Sequence, residues 1–99
     1  MEPITEYIKA HSNGPHNPIT GAQIADAMCV SGIDVRAMIN VARSAGEPIC
    51  SCRHGYYYSE DGREVERTIA SLYSRIAKQE KAISGLKAFR DGVSCAVLN

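Results

Sequence analysis

Ninety-nine residues are the length of one small domain, too short for a multi-layer enzyme. Eleven Lys and Arg balance eleven Asp and Glu at zero formal charge, and 44% of the residues are hydrophobic. That balance argues against a strongly basic nucleic-acid coat and against an acidic disordered tail, and with no Trp and one Phe the core must be mostly aliphatic.

Ile4, Tyr7 and Ile8 recur at helical spacing behind Pro3, whose missing N–H costs nothing in a first turn, and predict a helix over 3–11. The turn formers of 12–18 end it. Thr20 and Gln23 make a capping box that opens a short helix through Met28, with Ile24, Ala25 and Met28 on its buried face. A tight turn over 29–32 follows. Ser31 and Asp34 mark the next helix start, and Gly46 stops that helix near residue 45 as a left-handed cap. Val35, Met38, Ile39 and Ala42 share its inner stripe; Arg36, Asn40 and Arg43 fall on the other side.

The pattern changes at Glu47-Pro48. Residues 49–52 read as a strand, 53–55 as a turn and 56–58 as the returning strand. Alternation sends Tyr56 and Tyr58 toward the core and Tyr57 toward a surface contact. Asp61 and Glu64 cap a further helix from about 62 to 86. Its seam of Val65, Ile69, Leu72, Ile76, Gln79, Ile83 and Leu86 steps by four and three, a heptad pattern with one polar position. A helix of about 25 residues spans roughly 37 Å, more than so small a core covers, so the seam is read as a dimerisation surface; packing back on the chain's own helices is the alternative. Residues 91–99 read as a frayed tail. The organisation is therefore a head over 1–62, a dimerisation helix over 63–90 and a flexible tail over 91–99. The fold class is mainly α with a small β-hairpin wing, in the element order of a winged helix-turn-helix with an added long C-terminal helix.

Thr20-Gly-Ala-Gln-Ile-Ala-Asp-Ala-Met, then Val30-Ser31, Val35-Arg-Ala-Met-Ile39, Ala42-Arg43-Ser-Ala-Gly46, Pro48-Ile49 and Gly55-Tyr56 resemble the DNA-binding domain of the biotin operon repressor. The similarity covers roughly 19–58. The stretch from Val35 through the long helix also looks like small helix-turn-helix proteins of bacteriophages and prophages. The resemblance implies duplex DNA as partner and regulation of transcription or replication, with no enzymatic activity and no cofactor. No ligase domain follows, so biotin chemistry is not implied. The pattern differs at Gly32, where the repressor is commonly basic, and at Asp34, early in the helix.

On that reading Arg36 and Asn40 face base edges, since Arg pairs with guanine and Asn with adenine through two hydrogen bonds each. Arg43, Ser31 and Thr20 hold phosphates, and Arg53 and His54 at the hairpin tip reach the flanking backbone or minor groove. Ordinary solvated side chains are the bland alternative. Residues 1–62 carry four basic and seven acidic side chains, and residues 63–99 carry seven and four, so the head is acidic and the last helix basic. A lone head should bind weakly, which makes two heads a condition for binding. The acidic head also keeps open a rival reading, a winged-helix adaptor or inhibitor that docks on a protein partner.

Cys50, Cys52 and His54 alternate along a strand, with Cys95 as a fourth candidate ligand. Strand spacing of about 7 Å is too wide for a compact zinc site, so the thiols are read as small hydrophobes and no metal is expected. No run of about 18 apolar residues exists, and the first residues, MEPITEYIKAHSNG, lack a basic and an apolar region. The expectation is a cytoplasmic protein with reduced thiols and no membrane partner.

Overall fold

A computed structural model describes the backbone of residues 1–98 and the side chains of residues 1–92. The chain divides into two compact units, Met1–Thr68 and Ile69–Asn99. Its elements are α1 (Pro3–His11), α2 (Gly21–Met28), α3 (Gly32–Ser44), β1 (Ile49–Cys52), β2 (Gly55–Tyr58) and α4 (Gly62–Leu98). The protein is thus mainly helical, with a two-stranded antiparallel hairpin and a long C-terminal helix.

Three helices of the first unit meet through aliphatic stripes. Ile4 and Ile8 come from α1, Ile24 from α2, and Val35, Ile39 and Ala42 from α3; Ile19 and Ile49 complete the buried cluster. The steps of four and three put each set on one helix face. Burying each Ile side chain contributes on the order of 2 kcal/mol. Met38, Tyr56 and Tyr58 pack against the cluster from its edge.

Local chemistry explains where the helices stop. Both α2 and α3 begin with complete capping boxes, Thr20 with Gln23 and Ser31 with Asp34. At the end of α2, Cys29 takes a left-handed conformation with φ 56°, while Val30 N–H bonds Ala25 O at 3.0 Å and Cys29 N–H bonds Asp26 O at 3.3 Å. Those two bonds close a Schellman turn with a non-glycine residue at its strained position, at a cost of about 1 kcal/mol. Gly46, with φ 88°, closes α3 in the same way through Glu47 N–H to Ala42 O.

The hairpin pairs Ile49 with Tyr58, Cys50 with Tyr57, Ser51 with Tyr56 and Cys52 with Gly55, leaving Arg53 and His54 as its turn. A third segment joins it. Ile19 and Tyr56 exchange two backbone hydrogen bonds of 2.7 Å, so the extended residues before α2 lie against β2. Gly55 makes that approach possible, because a Cβ there would sit 2.3 Å from Ile19 O, and its φ of 143° also disfavours a side chain. Ser12 fixes α1 to the same strand, its Oγ donating to Ile8 O and accepting from Tyr58 N–H.

Tyr57 corrects the sequence reading. It is buried, at 4% exposure, whereas Tyr56 and Tyr58 are only half-buried. Alternation along β2 holds, but the hairpin has no free face at this point. Thr68, in the first turns of α4, is buried there and its Oγ1 accepts from Ser51 N–H at 3.2 Å. Burial pushes the Cys50 thiol and the Tyr57 phenol above their ordinary ranges, so both stay protonated in the packed layer.

Asp61 starts α4, its Oδ1 accepting from Arg63 N–H at 2.9 Å. The helix does not stop near residue 86. It continues to Leu98, so the tail expected over 91–99 is helical through residue 98; residue 99 lies outside the described residues. Gly85 and Gly92 are accommodated in its interior, where each costs about 1 kcal/mol against Ala. Among the described residues, no helix is long and apolar enough to cross a membrane.

Candidate functional site

The candidate site is the outward side of α3 and the surface around it. A three-residue turn, 29–31, separates α2 from α3. With Val35, Ile39 and Ala42 turned into the core, the opposite stripe of α3 is left to solvent. Arg36 and Asn40 stand there one helical turn apart, both exposed. Between and beside them are exposed Ala37, Ile33 at 78% and Val41 at 58%. Two large aliphatic side chains on an outer face that already carries a cation and an amide give it both hydrogen-bonding and apolar contact groups.

Ile33 was not singled out from sequence. Its signal is its spacing, three residues before Arg36 and seven before Asn40, which puts it on their face rather than on the core stripe.

Thr20 and Ser31 lie at the exposed starts of α2 and α3, as the sequence predicts, and both are already engaged. Thr20 Oγ1 accepts from Gln23 N–H at 3.1 Å, and Ser31 Oγ accepts from Asp34 N–H at 3.1 Å. In return the Asp34 carboxylate accepts from Ser31 N–H at 3.3 Å. The positive end of α3 therefore meets its own carboxylate first, which weakens it as an anion site. The start of α2 has the neutral Gln23 in the same role, with Gln23 Oε1 accepting from Thr20 N–H at 2.9 Å, and keeps its full helix-end field.

Arg43 differs from its neighbours on the helix. It is half-buried, its Nε–H donates to Ile49 O at 2.8 Å, and its guanidinium lies 5.9 Å from the centre of the Tyr56 ring. It ties the end of α3 to β1, so the structure gives Arg43 a role inside the fold besides the phosphate contact expected from sequence. Arg53 and His54 are exposed at the hairpin turn.

Beside α3 runs an open groove of about 790 Å³, lined among others by Gly21, Ala22, Asp26, Gly32, Arg36 and Tyr56. Small residues at 21, 22 and 32 leave backbone accessible along it. Tyr56 forms one wall and packs on Gly21, where a Cβ would sit 3.7 Å from the ring. Arg36 supplies the positive charge and Asp26 the negative one.

Cys50, Cys52 and His54 stand in three different settings along the hairpin. Cys50 is buried, Cys52 half-buried and His54 exposed, and among the described residues no group of three His, Cys, Asp or Glu is placed to hold an ion. The side chain of Cys95 lies outside the described residues.

The heptad positions of α4 are largely open to solvent. Ile69 is 39% exposed, Ile76 49%, Ile83 51% and Leu86 69%, with Gln79 exposed and Val65 and Leu72 half-buried. Tyr73 and Phe89, which the sequence reading did not place on the seam, add exposed aromatic area.

No family model, curated protein or solved structure matches this chain.

Proposed function

We propose that the chain is a winged helix-turn-helix protein that binds duplex DNA as a dimer and regulates transcription or replication, in the manner of small phage and prophage proteins. The observation that carries this reading is the outer face of α3, where Arg36 and Asn40 stand exposed one turn apart directly after the capped three-residue turn from α2. A helix in the major groove reads guanine with Arg and adenine with Asn, and meets thymine methyl groups with apolar side chains such as Ile33. The start of α2 at Thr20 and the hairpin tip at Arg53 and His54 supply the contacts to the sugar-phosphate backbone. Ser31 contributes a hydroxyl at the edge of the same surface, and Arg43 keeps the hairpin in place beside α3.

Arg36→Ala and Asn40→Ala, titrated beside the parent chain against a duplex selected from random sequence, are expected each to weaken binding by about 1 to 3 kcal/mol and to relax base preference. Affinity falls as salt rises. Variants that bind like the parent would remove α3 as the reading element.

One observation favours a second reading. Asp26 in the groove and Asp34 at the start of α3 put carboxylates where phosphates would approach. A basic or mixed protein surface would meet them without that conflict, and a winged-helix adaptor or inhibitor would use the same apolar Ile33 and Val41. Absence of binding to any duplex, together with a full-length dimer, is the outcome that selects this alternative.

A further inference from the structure

We infer that α4 pairs with α4 of a second copy of this chain as a parallel, in-register two-stranded coiled coil. This deepens the dimeric part of the reading above and stands independently of the DNA contact.

The number of strands follows from which apolar residue occupies which seam position. Numbering the heptad from Ile69 as position a puts Ile at 69, 76 and 83, and Leu at the d positions 72 and 86, with Val65 and Gln79 at the other two d positions. In a parallel coiled coil, β-branched residues at a with Leu at d favour two strands over three or four. All three isoleucines and Leu86 are exposed in the single chain, so the seam has apolar area to bury.

The surface already shows a receiving hole. Ile69, Leu72, Tyr73 and Ile76 border an open hollow of about 190 Å³, four residues at spacings of three, one and three. That is the diamond into which one seam side chain of a facing helix inserts. In a parallel, in-register pair the side chain at that level is Leu72 of the second copy.

Charge sets the orientation. Arg75 precedes an a position and Glu80 follows a d position, so the two flank the seam five residues apart, the separation that faces them across a parallel pair. Both are exposed, neither has an opposite charge three or four residues away on its own helix, and no ion pair involving them occurs among the described residues. In the parallel pair Arg75 of each copy meets Glu80 of the other, twice by symmetry. An antiparallel pair faces like flanking positions toward each other, so Arg75 meets Thr68, Arg75, Ala82 or Phe89 according to register, none of them acidic. Gln79 adds the register, because only in-register parallel pairing sets its amide against the same amide rather than against Leu or Ile.

The test is self-association of the full chain without DNA, by sedimentation at micromolar concentrations, for the parent, Arg75→Glu, Glu80→Arg and an equimolar mixture of the two variants. Circular dichroism checks that the variants keep their helix. The parent is expected to dimerise, each single variant to self-associate about tenfold more weakly, and the mixture to recover parental strength as a heterodimer. A mixture no tighter than its components overturns the orientation, and a parent that stays monomeric overturns the pairing. Because no DNA is present, these outcomes are separate from a failure of the DNA contact.

Discussion

Gly55→Ala is expected to destabilise the first unit by about 3 kcal/mol, seen as a fall of roughly 15 °C in the thermal midpoint of the chain. Two costs combine. The added Cβ meets Ile19 O at 2.3 Å, and its neighbour in that contact is backbone, which cannot swing aside. Moving the 19–20 segment away breaks the pair of 2.7 Å hydrogen bonds between Ile19 and Tyr56, each worth about 1 kcal/mol. The φ of 143° adds strain for any residue with a side chain. Gly85→Ala is the control: it lies inside α4 with open space around it and is expected to stabilise by up to about 1 kcal/mol. Equal midpoints for the two variants would contradict the close approach of the 19–20 segment to β2.

Ile39→Ala is expected to cost about 3 kcal/mol in denaturant unfolding, while Ile33→Ala on the same helix changes stability by less than about 0.5 kcal/mol. Ile39 is 2% exposed at the centre of the stripe that joins α3 to α1 and α2; Ile33 is 78% exposed on the outer face. The consequence for function runs the other way. On the proposed DNA-binding reading, Ile33→Ala is expected to fold like the parent and lose affinity for duplex DNA, whereas Ile39→Ala is expected to lose binding only as it loses fold. If Ile33→Ala proved as destabilising as Ile39→Ala, the outer face of α3 would be a packing surface and not a site.

Much of this architecture was legible because it is set by short-range chemistry. Pro3, the Thr20–Gln23 and Ser31–Asp34 boxes, Gly46 and the Ile49-to-Cys52 run each act within a few residues, and the observed bounds of α1, α2, α3 and β1 follow them closely. The departures come from interactions that link distant positions or defy residue preference. Nothing local announces that Ile19 bonds to Tyr56, or that Thr68 accepts a hydrogen bond from the backbone of Ser51 in the hairpin. Cys29 takes a left-handed position normally given to glycine, while the nearby Gly32 simply begins a helix. Gly92 lies in the stretch read as a tail, yet the helix passes through it.

The site divides along the same line. Arg36 and Asn40 were legible because helical spacing alone sends them opposite Val35 and Ile39. Arg43 shares their face by spacing, but a long side chain reaches past its own face, and its bond to Ile49 O depends on where the hairpin lies. Ile33 was hidden because an isoleucine at the start of a helix reads as core until the core stripe is drawn beside it.

The most direct test of the central claim is to record amide chemical shifts of the full chain while duplex DNA is added. The account predicts that the largest changes fall on residues 33–41 of α3, on Thr20 and its neighbours at the start of α2, and on Arg53 and His54, with α1 unaffected. Shifts absent from α3, or centred on α1 and residues 59–61, would contradict it.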